Sequence, residues 1–175
     1  QLAERSARGL GLTRPELSIL ISYSKADLKE ALVASDVPED SYLARELGTA
    51  FPSVLEEKYP AALNNHRLWR EIIATQLAND LVNHMGITFL RRLQQSTGSL
   101  PSELARGYVV ARDVFKLQAH FASIEALDYQ VTSQVQLEMM DNLMRLGRRA
   151  TRWFVRNRRS DLTPEREVAH FAPIV

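Results

Sequence analysis

Asp80 and His84 stand four residues apart in a segment of helical periodicity, which puts both side chains on one face. Such a couple can hold a metal ion, or act as a base whose orientation the carboxylate fixes. A usable zinc site needs at least one more ligand, and His66, His120 and His170 lie on other segments. The bland reading is a half-buried polar cluster that ties neighbouring helices together. We read Asn79, Asp80, Asn83 and His84 as that structural cluster and assign no metal ligand.

A second concentration of chemistry is cationic. Residues 145 to 159 contain seven arginines. At about 100° per residue, Arg145, Arg148, Arg149, Arg152, Arg156 and Arg159 fall in one stripe. Glu138 and Asp141 extend it one turn earlier, with Asp141 placed to pair with Arg145. Leu143, Leu146, Ala150, Trp153 and Phe154 take the opposite side. The stripe is either a solvated face or a contact for an acidic partner or an anionic effector. Nucleic acid is disfavoured, because a chain with net charge +1 lacks the concentrated positive charge that phosphate neutralisation needs.

Other reactive patterns fail on context. Gly9-Leu10-Gly11 has no preceding strand and no third glycine in place, so it reads as a helix stop rather than a dinucleotide loop. There is no cysteine, which excludes disulfides, thiolate metal sites and a thiol nucleophile. No serine sits in a G-x-S-x-G turn, and Glu56, Glu57, Asp80 and Asp113 show no pairing that marks an acid/base couple. No catalytic, cofactor-binding or metal residue is assigned.

The elements that must position these residues are almost all helical. Thr13 and Glu16 form a capping box, with Pro15 in the first turn of a helix carrying Leu17, Leu20, Ile21, Leu28, Leu32 and Val33. Leu2–Arg8 reads as a helix tail ahead of it. Short helices follow around Tyr42–Leu47 and Ser53–Tyr59. His66–Thr97 reads as one long helix with Thr75, Asn79, Val82 and Gly86 along one line, stopped by Gly98. Another helix starts at Leu100-Pro101 and presents Leu104, Tyr108, Val109, Val110, Val114 and Phe115. A segment at Phe121–Leu127 precedes a second long helix, Thr132–Arg158, and a last short one opens at Thr163-Pro164. Trp69, Trp153 and Phe154 read as core. No sustained two-residue alternation appears. The expected fold is an all-α, multi-helix bundle of roughly seven to nine helices around two long helices, with no significant sheet.

The chain's 175 residues are enough for one domain with a real core, and 45% apolar with 25% charged residues is ordinary for a globular chain. Charge is uneven: residues 1–60 carry 7 Lys/Arg against 10 Asp/Glu, and residues 136–175 carry 8 against 5. No apolar run approaches the roughly 20 residues that span a bilayer, and no signal peptide is visible. The expected setting is cytoplasmic. A first residue of Gln rather than Met suggests a piece of a longer protein.

Four stretches carry more than their chemistry: RPELSILISYSK (Arg14–Lys25), SDVPEDSYLARELGTAFP (Ser35–Pro52), HRLWREIIATQLANDLVNHMGITF (His66–Phe89) and ATRWFVRNRR (Ala150–Arg159). Together they resemble the C-terminal helical region of the large bacterial NAD-specific glutamate dehydrogenases, over roughly residues 10 to 172. The resemblance implies that residues 1–175 are a C-terminal all-helical domain, with the catalytic dehydrogenase domain upstream. It implies a parent enzyme that oxidatively deaminates L-glutamate to 2-oxoglutarate and ammonium and reduces NAD. Hydride would leave the α-carbon and water would attack the imine. NAD would be held upstream, no catalytic or cofactor motif of the family maps here, and this region alone would be inactive and bind no cofactor.

Its expected partners are the upstream catalytic domain and homo-oligomer subunits, with no nucleic acid and no membrane. Its task would be assembly or regulation. Two alternatives stand beside it: a free-standing helical module using the 145–159 stripe on an acidic partner or nucleic acid, and a small helical enzyme using Asp80 and His84.

Overall fold

Thr13 begins the first described helix as the spacing predicts. In this computed structural model, which describes residues 4, 7–9, 11–159 and 161–175, the Glu16 carboxylate accepts from the Thr13 backbone N–H at 2.8 Å. The Thr13 hydroxyl accepts in return from Glu16 N–H at 3.5 Å. Helix α1 runs Arg14–Val33 and buries Leu28 and Leu32. The expected helix tail at Leu2–Arg8 lies mostly outside the described residues, as does Leu10.

Among the described residues the chain forms nine α-helices and two 3-10 helices, with no strand. A 3-10 helix, Ala44–Ala50, follows α1 where a short helix at Tyr42–Leu47 was expected, and it buries Glu46 and Leu47. Helices α2 (Ser53–Lys58) and α3 (Pro60–Asn64) bury no side chain completely. Then come α4 (Trp69–Met85), α5 (Phe89–Thr97) and α6 (Pro101–Val114). They are followed by α7 (Leu117–Glu125), α8 (Ser133–Arg156), α9 (Pro164–Phe171) and a terminal 3-10 turn, Ala172–Ile174.

The long helix expected over His66–Thr97 is two helices. Gly86 adopts φ 85° and ψ 157°, a conformation closed to residues with a Cβ, and the chain turns there between α4 and α5. Gly98 then ends α5 in the left-handed region at φ 71°, as a C-terminal glycine should. The segment expected at Phe121–Leu127 begins earlier, at Leu117, because Lys116 turns the chain at φ 50°.

The centre of the bundle is α6. Eleven of its fourteen residues are buried, among them Arg106, Tyr108 and Arg112. α8 crosses one side of it, α9 and α7 lie beside that crossing, and α1, α4 and α5 close the other side. The α6–α8 approach is close because residue 107 is glycine: a Cβ there would lie 2.6 Å from Val155 Cγ2 and 3.4 Å from the Val155 backbone nitrogen. Gly147 lets α8 settle onto Met85 of α4 in the same way, since its Cβ would meet Met85 Cε at 2.7 Å.

α1 packs along α4, and the loop after α1 is pinned from α4. Arg70 donates to the carbonyls of Val33 at 2.7 Å and Ser35 at 2.9 Å, and also pairs with Glu39. Of the aromatics expected in the core, Phe154 is buried, Trp69 is half-buried and Trp153 is 47% exposed. Trp153 instead stacks edge-on against Phe154 and Phe171 at the rim.

Candidate functional site

Asp80 and His84 do meet on one face of α4, and what they meet decides their chemistry. His84 Nδ1 lies 2.7 Å from Asp80 Oδ1. The other Asp80 oxygen, Oδ2, accepts from Arg112 Nη1 at 2.8 Å. Arg112 is 2% exposed, and its two remaining donor groups are also spent: Nη2 donates to Glu46 Oε1 at 2.6 Å and Nε to Asp113 Oδ1 at 2.9 Å. Asp113 accepts in turn from the Tyr42 hydroxyl at 3.0 Å and pairs with Arg45, whose guanidinium lies 3.9 Å from the centre of the Tyr42 ring. The Tyr108 hydroxyl sits 3.5 Å from His84 Nδ1, and Phe121 packs its ring on the imidazole at 4.3 Å.

This is a closed ion-pair network joining the 3-10 helix, α4 and α6. Burial pushes the Asp80 carboxyl up, but the hydrogen bonds and charges of His84 and Arg112 outweigh it and leave it below the usual range. The hydrogen bond to Asp80 raises His84 against the opposing effect of burial. Burial disfavours the cation of Arg112, yet Glu46 and Asp113 hold it firmly protonated. Burial, followed by the Asp80 charge, pushes the Tyr108 phenol up. An ionised Asp80 with both oxygens engaged is a poor base and a poor metal ligand. Among the described residues no group of three or more His, Asp or Glu is arranged to hold a metal.

Asn79 and Asn83 are not brought into this network. Asn79 is half-buried, Asn83 is exposed, and neither side chain makes a hydrogen bond among the described residues. Glu46, Arg112, Tyr108, Tyr42 and Arg45 enter it unforeseen. A signal for Arg112 was present: in GYVVARDVF an Arg-Asp pair interrupts an apolar run, as Asn-Asp interrupts ATQLANDLV. Charge within an all-round apolar helix asks for a buried partner.

The arginine stripe divides. Arg145, Arg148, Arg149 and Arg152 of α8 line a cavity of about 340 Å³ together with Arg92 of α5, over a floor of Met85, Thr88 and Phe89. Arg148 Nε also donates to the Met85 carbonyl at 2.9 Å, the C-terminal end of α4, where a cation is favoured. Arg145 pairs with Asp141 at 2.6 Å, as its spacing predicts. Arg156 and Arg159 lie outside the cavity, and Arg159 pairs with Asp161 at 2.9 Å.

A nicotinamide dinucleotide finds no fit at the start of α1. Its pyrophosphate takes a glycine turn between a strand and an uncapped helix N-terminus. Here Gly9 and Gly11 precede α1 without a strand among the described residues. The start of α1 is already occupied by the Glu16 carboxylate, whose charge opposes a second anion.

Residues 9–175 match the family model described as Glutamate dehydrogenase, C-terminal. The chain is 61% identical over 173 residues to an NAD-specific glutamate dehydrogenase of Pseudomonas aeruginosa and 51% identical over 173 residues to one of Halomonas elongata. It is 34% identical over 175 residues to one of Mycobacterium tuberculosis. These alignments cover 99–100% of this chain and 11% of each relative, so the chain spans about a tenth of the length of the curated relatives it matches. The free-standing binding module finds no support in matches of this kind.

Proposed function

This chain belongs to the glutamate dehydrogenase C-terminal family, and from that membership we propose that it is the non-catalytic helical region of an NAD-dependent glutamate dehydrogenase. The proposed parent oxidises L-glutamate to 2-oxoglutarate and ammonium, with NAD as hydride acceptor bound elsewhere in the protein and a cytoplasmic setting. The similarity to three relatives so named supports that activity. No helix among the described residues is long and apolar enough to cross a membrane.

Within the parent, this region holds structure and does no chemistry. The observation that carries this reading is the Arg112 network, which consumes the one base-like couple among the described residues to lock three elements together. A scaffold is what remains for a module whose central charged network is paired internally. Its exposed apolar side chains, such as Ile19, Tyr23 and Leu137, are surface for the rest of the protein or for other subunits.

The test is a deletion in the intact protein. Removing residues 13–172 should alter the assembly state seen by sedimentation and lower glutamate-dependent NAD reduction, while the Arg112→Met variant reduces both only as far as it unfolds this region. An intact protein that loses the region and keeps its assembly and its rate would end the scaffold reading. Absence of glutamate-dependent NAD reduction in the unmodified protein would end the dehydrogenase reading separately.

A further inference from the structure

Five guanidinium groups converge on the cavity between α5 and α8, and little in the fold explains why. Arg145, Arg148, Arg149 and Arg152 come from α8 and Arg92 from α5. Arg145/Arg149 and Arg148/Arg152 are like-charged pairs at i,i+4, a spacing that costs stability when nothing neutralises it. Asp141, on Arg145, is the only carboxylate that pairs with any of the five among the described residues. Arg92, Arg149 and Arg152 make no hydrogen bond or ion pair there. The lining includes the start of α5, where Thr88 provides no capping hydrogen bond and the helix end adds positive potential. A solvated amphipathic face needs neither the arginine from a second helix nor an apolar floor of Met85 and Phe89.

We propose that this cavity binds a small polyanion carrying two or more carboxylate or phosphate groups. Planar guanidinium forks match both groups in bidentate fashion, and Arg148, fixed by the Met85 carbonyl, is already oriented. A volume of about 340 Å³ lies in the range of small-molecule sites and is too small for a folded acidic partner. The ligand bridges α8 to α5 and so fastens the far side of the Gly86 turn. The proposal does not depend on the dehydrogenase reading, and its readout is local to these two helices.

The experiment is hydrogen–deuterium exchange of the intact protein, followed by mass spectrometry of peptides covering residues 85–97 and 141–156. The probes are pyrophosphate and propane-1,2,3-tricarboxylate, with acetate and chloride at matched ionic strength as controls. Saturable protection of both peptide groups by a polyanion is expected, with none from the controls. Protection by pyrophosphate alone assigns a phosphate-bearing ligand, by the tricarboxylate alone a polycarboxylate, and by both a site that reads charge; each supports the proposal. In Arg149→Gln/Arg152→Gln the apparent affinity should fall about tenfold or more, with exchange of the free protein unchanged or slower as the like-charge repulsion is relieved. No saturable protection from either polyanion, or equal protection in the double variant, overturns the proposal. Faster exchange of these peptides in the free double variant also overturns it, since an acidic side chain of the protein itself would then already fill the cavity.

Discussion

Arg112 is held by three carboxylates, and removing it strands two of them in the interior. Glu46 is 4% exposed and would lose its 2.6 Å partner, keeping only Arg45 at 4.0 Å, while Asp80 would keep His84. Arg112→Met is therefore expected to lower the unfolding free energy by about 3–5 kcal/mol, because the cost is that of unpaired buried charge. Replacing Arg112 together with its two most buried partners, Glu46→Gln with Asp80→Asn and Arg112→Met, should recover more than half of that loss in urea titrations. If the triple variant is no better than the single one, the network does not act as a unit.

His84 adds a pH dependence of known sign. Its folded pKa is raised above 6.5 by Asp80, with a further contribution from Glu125, so its contribution is complete below about 6.5 and is lost as pH rises through the folded value. Asp80 is held below 3.8, so its contribution is present above that value and is lost as pH falls through the depressed one. Between those limits the couple stabilises most. The deficit of His84→Gln should be largest near about pH 5.5 and shrink by about pH 8.5, and equal deficits at both would refute the assignment. In the sequence, the i,i+4 spacing was enough to bring Asp80 and His84 together. Arg112 and Glu46 were hidden because they lie 32 and 34 residues away from Asp80 along the chain, and only packing brings them near.

At the scale of elements, the helices with strong local signals are where the sequence puts them. α1 and α9 begin at Thr13 and Thr163, each followed within the first turn by proline, and α8 matches its expected span within two residues at each end. The error at His66–Thr97 has a physical cause. A glycine within an apolar, helix-periodic run costs only about 1 kcal/mol, so the run alone does not reveal whether the helix continues or turns. The partners of α6 were hidden for another reason: Arg106 and Arg112 pair with Asp36, Asp40, Glu46 and Asp80, which lie on other segments of the chain.

Gly86 and Gly107 separate these effects. In Gly86→Ala a Cβ meets only Arg148 Nη2, at 3.4 Å, so the penalty of about 1–3 kcal/mol is backbone strain at φ 85°. In Gly107→Ala the backbone is ordinary and the Cβ strikes Val155 on α8, again costing about 1–3 kcal/mol. Val155→Ala should therefore rescue Gly107→Ala and leave Gly86→Ala unimproved, as read from thermal midpoints.

For the whole molecule, the unresolved burden is apolar surface. Ile19 is 51% and Tyr23 67% exposed, and they stand one turn apart on α1, on its outer side away from buried Leu28 and Leu32. Neither supports the bundle, so Ile19→Glu with Tyr23→Glu should change the stability of this region by no more than about 0.5 kcal/mol. In the intact protein the same pair should cost far more if α1 is a joint, because two carboxylates would be buried without partners. Sedimentation should then show smaller assemblies, or exchange of α1 amides should accelerate where the joint is to the rest of the same chain. Intact protein that carries both glutamates with unchanged sedimentation and unchanged α1 exchange would leave this face to solvent. The scaffold role would then have to rest on another surface, of which Leu137, 68% exposed near the start of α8, is the next to substitute.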